Sequence, residues 1–248
     1  MSDKISISIV NYTNTIPFRY GLNKFFTDKE IDLQMDIPAI CANKIIEKKV
    51  DIGLVPVAIL TKHPELKIIS DYCVGALGKV DSVNLYSQKP IQELKKIILD
   101  YQSRTSVQLV KILCEEFWKI QPEFINGEGD FIPPITDDTG AVVIGDRTFG
   151  LKGKFTYTYD LSETWHKHTG LPFVFACWVS FSNLKEEFLR KFNDALTLGI
   201  NNIKEAILSS NNNNLNFTDC NFYLNERINY HLDEKKREAL KLFLSKLR

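Results

Sequence analysis

Apolar and polar residues alternate along residues 5–10, and this spacing predicts a first β-strand. Residues 50–55 and 141–145 are instead short apolar runs, a pattern typical of strands that are buried on both faces. Helical patterns follow. Pro17 suits the first turn of a helix, and apolar residues recur on one face of a helix that opens at Ser103. This alternation of strands and helices predicts an α/β protein with mostly parallel sheets.

The same patterns predict the remaining elements of the chain. Further strands are expected at residues 31–37, 68–70, 80–87, 97–100 and 171–181. Further helices are expected at residues 39–48, 57–63 and 184–208, in a segment capped by Asp160 and ended by Gly170, and in a C-terminal segment capped by Asp233. Residues 124–134 and 211–214 are expected to be loops.

The ends of the predicted strands carry the candidate binding residues, because ligands of α/β sheets bind at the carboxyl ends of strands. These candidates are Asn11, Asn14, Pro56, Ser103, Arg104, Thr105, Ser106 and Asp146. Residues 103–106 place three hydroxyls and one guanidinium at the start of a helix, where backbone N–H groups are unpaired and the helix dipole is positive. Carboxylates and phosphates bind at such helix starts. The sequence therefore predicts a site for a small anion.

Charge and length narrow the class of protein. The 248 residues fit one large domain or two small lobes. The chain has 31 basic and 31 acidic residues, so its formal net charge is zero. Broad nucleic-acid binding needs clustered basic charge, and we expect a small-molecule partner and no nucleic acid. The sequence leaves the oligomeric state open.

The cysteine pattern and the apolar runs indicate where in the cell the protein is expected. Five cysteines are spread along the chain without a C-x-x-C pair, which is typical of reduced, mostly buried thiols in a cytosolic protein. No run of about 18 apolar residues occurs, so no membrane span is expected. Residues 1–10 alternate like a strand and lack the continuous apolar core of a signal peptide. A cytoplasmic location is therefore expected.

Two histidines lie close together in the sequence, but their spacing does not favour a metal site. His166 and His168 lie two residues apart on a predicted helix, so they do not share a face. No cysteine pattern lies near them. We therefore expect no metal and no cofactor.

Six short motifs occur one after another between residues 11 and 176. They are Asn11-Tyr-Thr-Asn14-Thr-Ile-Pro17, Asp51-Ile-Gly-Leu-Val-Pro56-Val, Gly78-Lys-Val-Asp-Ser82-Val, Ser103-Arg-Thr105-Ser106, Ile144-Gly145-Asp146, and Asp160-Leu with Trp165 and Thr169-Gly-Leu-Pro-Phe-Val-Phe-Ala176. In order and spacing they resemble the chorismate dehydratase family of the futalosine route to menaquinone. Lys79 and Arg147 depart from the family's pattern and add basic charge near the expected site. Residues 181–248 carry no motif of this kind.

The resemblance implies a fold. It is that of the two-lobed, periplasmic-binding-protein-like proteins of type II, in which the chain crosses twice between the lobes. We expect the crossings near residues 87–90 and 177–178. Lobe one would then comprise residues 1–87 and 178–248, lobe two residues 88–177, and the ligand would lie in the cleft between them.

The resemblance also implies a reaction, the elimination of water from chorismate to give 3-[(1-carboxyvinyl)oxy]benzoate by a carbon–oxygen lyase. Asn14 and Ser82 match the family's site positions and are the expected catalytic residues. The expected substrate-binding residues are Asn11, Pro56, Ser103, Arg104, Thr105, Ser106 and Asp146.

Structural roles compete with these functional ones. Asn14 and Ser103 also suit helix caps, Asp146 also suits a cap or an ion pair, and Arg104 also suits a solvent-exposed position. Two other functions stay open, namely a cytosolic sensor or binding protein for a small carboxylate and the related 1,4-dihydroxy-6-naphthoate synthase.

Overall fold

The computed structural model describes residues 4–129, 135–211 and 214–247. Its strands are β1 (Ile5–Val10), β2 (Ile31–Asp36), β3 (Ile52–Pro56), β4 (Lys67–Ala76), β5 (Val83–Ser87), β6 (Lys96–Leu99), β7 (Glu123–Asn126), β8 (Thr139–Ile144), β9 (Tyr157–Asp160), β10 (Phe173–Ser180) and β11 (Asn229–His231). Its α-helices are α1 (Ile16–Phe25), α2 (Pro38–Ile46), α3 (Thr105–Leu113), α4 (Leu161–Thr169), α5 (Glu186–Asn201), α6 (Ile203–Ser209), α7 (Phe217–Phe222) and α8 (Glu234–Ser245). The predicted loop residues 130–134 and 212–213 lie outside the described residues.

The strands form two sheets. The order is β11-β4-β10-β3-β1-β2 in the first sheet and β7-β6-β8-β5-β9 in the second. In each sheet the strands on one side pair in parallel and those on the other side pair antiparallel. The predicted α/β class with two lobes is confirmed. The expectation of mostly parallel sheets is wrong, because β10 and β5 run against the parallel strands beside them.

The sheets in which β5 and β10 pair show that both lobe boundaries differ from the predicted ones. The strand β5 pairs with β8 and β9 in the second sheet, although residues 83–87 were expected in lobe one. The strand β10 pairs with β3 and β4 in the first sheet, although residues 173–177 were expected in lobe two. The chain therefore crosses within residues 77–82 and 161–172. A buried strand reads as an apolar run in either sheet, so the pattern alone does not show which sheet takes it.

Hereafter, lobe one denotes residues 4–76, 173–211 and 214–247, and lobe two denotes residues 83–129 and 135–160. A continuous cluster of buried apolar side chains runs through both lobes. None of the described helices is long and apolar enough to cross a membrane.

Several short elements were not predicted. The strands β7, β9 and β11 and the helix α7 fall in stretches with no clear periodic pattern, and β9 and β11 are stabilised by pairing with β5 and β4. The strand β4 continues past the predicted residues 68–70 as far as Ala76. The predicted helix at residues 184–208 is divided at Asn202, whose φ of −127° and ψ of 45° are not helical.

The predicted helix caps are present. The Asp160 carboxylate accepts hydrogen bonds from the backbone N–H groups of Ser162 and Glu163, both at 3.0 Å, and so caps α4. Gly170 ends this helix with a φ of 74°. These capping bonds satisfy backbone groups that a helix end leaves without a partner.

The same carboxylate joins the two crossings. Its other oxygen accepts hydrogen bonds from the backbone N–H groups of Val80 at 2.9 Å and Asp81 at 2.7 Å, in the first crossing. Burial raises the pKa of Asp160 to about 6, and the backbone hydrogen bonds from Glu163, Asp81 and Val80 act in the opposite direction. One buried side chain thus fixes where the chain leaves lobe one and where it returns.

Helices α1 and α5 of lobe one approach each other closely at two glycines. A Cβ atom added at Gly21 would lie 1.8 Å from the backbone oxygen of Ala195, and one added at Gly199 would lie 1.8 Å from that of Pro17. Both contacts are with backbone atoms, which cannot rotate away as a side chain can. The absence of a side chain at these two positions sets the spacing of the helices.

We predict that Gly199→Ala lowers the free energy of unfolding by about 1–3 kcal/mol, because the overpacking exceeds the better helix propensity of alanine. Gly150→Ala is the matched control, since a Cβ atom there meets nothing within 4 Å. Urea denaturation of both variants measures the difference. Equal stability of the two variants would contradict the close helix approach.

Candidate functional site

A pocket lies where the facing edges of the two sheets meet. Its empty space is about 550 Å³, a figure that includes the part open to solvent. Residues of both lobes and of the first crossing line it: Val10, Tyr12, Asn14, Pro38, Pro56, Val74, Val80, Ser82, Val83, Ser103, Thr105, Ser106, Ile144, Gly145, Phe175 and Ala176. It is therefore a pocket between lobes, as the fold predicts.

Sheet topology explains which part of lobe one reaches the pocket. The parallel strands β1 and β3 end at this edge, so that Pro56 and the loop after Val10 face the pocket. The strand β10 runs the other way and begins here, with Ala176 paired opposite Pro56. The early residues of β10 thus line the same edge as the last residues of β3.

Six of the expected site residues line this pocket: Asn14, Pro56, Ser82, Ser103, Thr105 and Ser106. They come from four separate stretches of the chain, which the fold brings together. Their proximity agrees with a common site, and their individual roles stay predictions.

Three expected site residues lie outside the pocket lining. The Asn11 side chain accepts a hydrogen bond from Arg19 at 3.1 Å on an outer surface depression. The Arg104 guanidinium donates to the Asn43 side chain of α2, so it links the lobes beside the pocket. Both side chains already have protein partners, and we remove both residues from the proposed substrate contacts.

Asp146 is the third residue outside the lining, and it also joins the lobes. Its carboxylate accepts hydrogen bonds from the backbone N–H of Thr13 at 3.0 and 3.1 Å and from the Asn214 side chain at 2.7 Å. Burial raises the pKa of this carboxyl group. Asp146 therefore holds the loop after β1 against lobe two and is also removed from the substrate contacts.

The start of α3 is arranged differently from the sequence expectation. The Ser103 hydroxyl accepts a hydrogen bond from the backbone N–H of Ser106 at 2.9 Å, as a capping residue does. The Thr105 hydroxyl accepts from the backbone N–H of Ala58 at 3.2 Å and donates to the carbonyl of Phe175 at 3.3 Å. Thr105 thus bridges the lobes, and Ser106 offers the hydroxyl best placed for a ligand.

Asn14 and Ser82 each accept a hydrogen bond from a different tyrosine of the C-terminal segment. The Tyr223 hydroxyl donates to the Ser82 hydroxyl oxygen at 2.7 Å, and both residues are buried. Tyr230, from the same segment, donates to the backbone carbonyl of Asn14 at 2.9 Å. The segment without recognisable motifs therefore supports both expected catalytic residues.

One polar atom of the pocket is left for a ligand. The Oδ1 atom of Asn14 is buried and has no hydrogen-bond partner among residues 4–129, 135–211 and 214–247. Buried polar atoms in proteins are normally paired, so this amide oxygen is suited to accept a hydrogen bond from a bound molecule. Asn14 is thus positioned to contact a bound molecule.

Sequence reasoning missed several pocket residues, among them Tyr12, Pro38 and Phe175. The Tyr12 hydroxyl donates to the Gln102 side chain of lobe two, and its ring packs against Gly145. At Gly145 the φ is 67° and an added Cβ atom would lie 2.6 Å from the Tyr12 ring, so glycine is required. Tyr12 lies within the first of the six motifs, so the sequence did carry a signal for this residue. Tyr223 lies in no motif, so the sequence carried no signal for it.

The described lining residues are all uncharged. Lys79 and Arg147, the two basic residues that depart from the family's pattern, are not among these lining residues. Lys79 pairs with Asp81, and Arg147 pairs with the buried Asp100. The expected basic charge at the site is therefore not found in the pocket lining. An anion bound here would be held by hydroxyls, the Asn14 amide and the positive start of α3.

The remaining titratable groups lie elsewhere. Within the described ranges, no group of three or more His, Cys, Asp or Glu is placed to hold a metal ion. The side chain of His166 contacts the Leu171 carbonyl, and His168 pairs with Glu116. All five cysteines are buried and free, as the sequence indicates, and burial raises the pKa of Cys41 to about 12.

Comparison with solved structures identifies the class of fold. A protein of Archaeoglobus fulgidus has a TM-score of 0.76 at 16% identity, covering 99% of this chain and 97% of that one. A Candida albicans gene product, described as exhibiting the generic periplasmic binding protein fold, has a TM-score of 0.59 at 12% identity, covering 97% of this chain and 90% of that one. The predicted two-lobed, periplasmic-binding-protein-like fold is confirmed.

Comparison of sequences identifies the family. The family model described as menaquinone biosynthesis matches residues 5–248, and the chain belongs to this family. The chain is 26% identical to the chorismate dehydratase of Thermus thermophilus, over 97% of this chain and 94% of that relative. The family expected from the motifs is confirmed, and the match includes the C-terminal segment that carries Tyr223.

We predict that Asp146→Ala lowers the free energy of unfolding by about 1–3 kcal/mol, because the Thr13 N–H and the Asn214 amide lose their acceptor. Asp146→Asn keeps one acceptor oxygen and should lose less than half as much. Urea denaturation of the two variants measures this. An equal loss in both would show that the charge, rather than these hydrogen bonds, joins the lobes.

Proposed function

We propose that this protein removes water from chorismate to give 3-[(1-carboxyvinyl)oxy]benzoate, as a hydro-lyase of menaquinone biosynthesis. The observation that carries the proposal is the convergence of Asn14 and Ser82 in an uncharged pocket between the lobes. The family membership and the dehydratase relative support the same reaction.

The chemistry of the substrate decides what the protein must supply. Formation of an aromatic ring drives the elimination. The proton that is lost sits on the ring carbon bearing the ether, and it is acidified because negative charge spreads through the ring double bond to the ring carboxylate. This proton and the leaving hydroxyl lie on the same ring face, which disfavours a concerted anti elimination. A stepwise path through a carbanion is therefore proposed.

The proton acceptor is proposed to be the substrate itself. The described lining of the pocket contains no Asp, Glu, His, Lys or Cys, which are the common general bases. Tyr12 lines the pocket, but burial raises the pKa of its hydroxyl, so it keeps its proton. The side-chain carboxylate of chorismate takes the proton from the ring carbon, and the leaving hydroxyl then takes it up and departs as water.

The protein residues hold and orient the substrate. The start of α3 and the Ser106 hydroxyl bind one carboxylate, with Ser103 capping the helix and Thr105 fixing it to lobe one. Pro56 and Phe175 provide apolar contact for the ring. Asn14 and Ser82 donate hydrogen bonds to the hydroxyl as its negative charge grows, an interaction that is stronger in the transition state.

The deciding experiment is to incubate the purified protein with chorismate, without an added cofactor, and to follow the aromatic product by absorbance and mass spectrometry. A mass loss of one water supports the proposal. Binding of chorismate without conversion would favour the alternative of a carboxylate-binding protein or sensor, whose fold is the same. Conversion of a later cyclic intermediate, but not of chorismate, would favour the naphthoate synthase.

We predict that replacing both Thr105 and Ser106 by alanine raises the KM for chorismate by about ten- to a hundredfold, because hydrogen bonds to a charged group are lost. The Ser106→Ala single variant should account for most of this, since the Thr105 hydroxyl is already engaged by Ala58 and Phe175.

Ser245→Ala is the control for these variants, because this serine is also on a helix, donates to a backbone carbonyl and lies outside the pocket lining. Its KM should equal that of the wild type. An unchanged KM in a well-folded double variant would disprove carboxylate binding at the start of α3.

We predict that Asn14→Ala and Ser82→Ala each lower kcat by about a hundred- to a thousandfold with a smaller change in KM. Neither side chain carries a full charge, so neither holds the dianion strongly, but both donate to the departing hydroxyl. Steady-state kinetics separate the two effects. Variants that keep a near-normal kcat and lose affinity instead would reassign both residues to binding.

A further inference from the structure

The Ser82 hydroxyl has one proton and must direct it at the departing hydroxyl for the proposed reaction. The Tyr223 hydroxyl donates to the Ser82 oxygen at 2.7 Å. That hydrogen bond occupies a lone pair of Ser82, so the Ser82 proton has to point away from Tyr223. No hydrogen bond donated by Ser82 to another described residue competes for that proton, and Ser82 lines the pocket.

We propose that Tyr223 is a positioning residue that holds the Ser82 hydroxyl with its proton directed into the pocket. This proposal rests on the proposed function, since the leaving hydroxyl of the substrate is the acceptor of that proton. It assigns a role to the C-terminal segment, in which the sequence shows no motif.

The surroundings of Tyr223 suit such a role. The residue is 3% exposed, and its ring packs edge-on against Phe149 at a centroid distance of 5.1 Å, so the position of its hydroxyl oxygen is fixed. Tyr230, from the same segment, donates to the backbone carbonyl of Asn14 at 2.9 Å. The hydroxyl of Tyr223 therefore contacts Ser82, and Asn14 is contacted by a different buried tyrosine of the segment.

Tyr223 stays protonated in this arrangement. Burial raises the pKa of its phenol, and this effect outweighs that of the hydrogen bond with Ser82, which acts in the opposite direction. The phenol thus remains a hydrogen-bond donor throughout the reaction and does not act as a base. Chains of hydrogen bonds polarise one another, so the bond from Tyr223 also makes Ser82 a better donor.

The test uses Tyr223→Phe, which removes the hydroxyl and keeps the ring. We expect kcat for chorismate to fall about tenfold while KM changes less than about threefold. Tyr72→Phe is the matched control, because Tyr72 is also buried and its hydroxyl forms a 2.7 Å hydrogen bond with Thr197, outside the pocket lining. Its kcat should be that of the wild type.

A double variant separates positioning from a general structural role. If Tyr223 acts through Ser82, then Tyr223→Phe costs nothing further in the Ser82→Ala background. The same loss in both backgrounds, or an unchanged kcat in Tyr223→Phe alone, overturns the positioning role while the proposed function stands. A wild-type protein that never converts chorismate overturns the proposed function, and this inference with it.

Discussion

The two crossings of the chain depend on the buried carboxylate of Asp160. It accepts hydrogen bonds from the backbone N–H groups of Val80 and Asp81 in the first crossing and of Ser162 and Glu163 at the second. Removing the side chain would leave four backbone donors without their acceptor at the point where both sheets meet. Because Ser82 follows directly after these residues, the same bonds place it at the pocket.

The pocket is built from both lobes and from the segment that returns to lobe one. The hydrogen bonds of Thr105, Asp146 and Arg104 each join one lobe to the other around it. Three residues that were expected to touch the ligand, Asn11, Arg104 and Asp146, instead lie outside the lining, and two of these hold the lobes together. An uncharged lining between such contacts suits a substrate whose own groups carry the reaction.

Much of the fold follows from the sequence pattern. The strands β1, β3 and β8 and the caps at Asp160 and Asp233 are as predicted, because apolar spacing and capping chemistry are local. Six of the nine site residues expected from the sequence also line the pocket. The lobe boundaries were wrong by one strand each, since an apolar run such as Phe173–Ser180 does not show which sheet buries it.

The sequence by itself determined the α/β class, the main elements, the family and the position of the hydroxyl-rich start of α3. The tertiary structure decided that the Thr105 hydroxyl bridges the lobes, that Asp146 bonds Thr13, and that Tyr223 reaches Ser82 across 141 residues of chain. The reason is physical. Local spacing governs strands, helices and caps, whereas the partner of a polar side chain depends on which distant segments the sheets bring within about 3 Å of it.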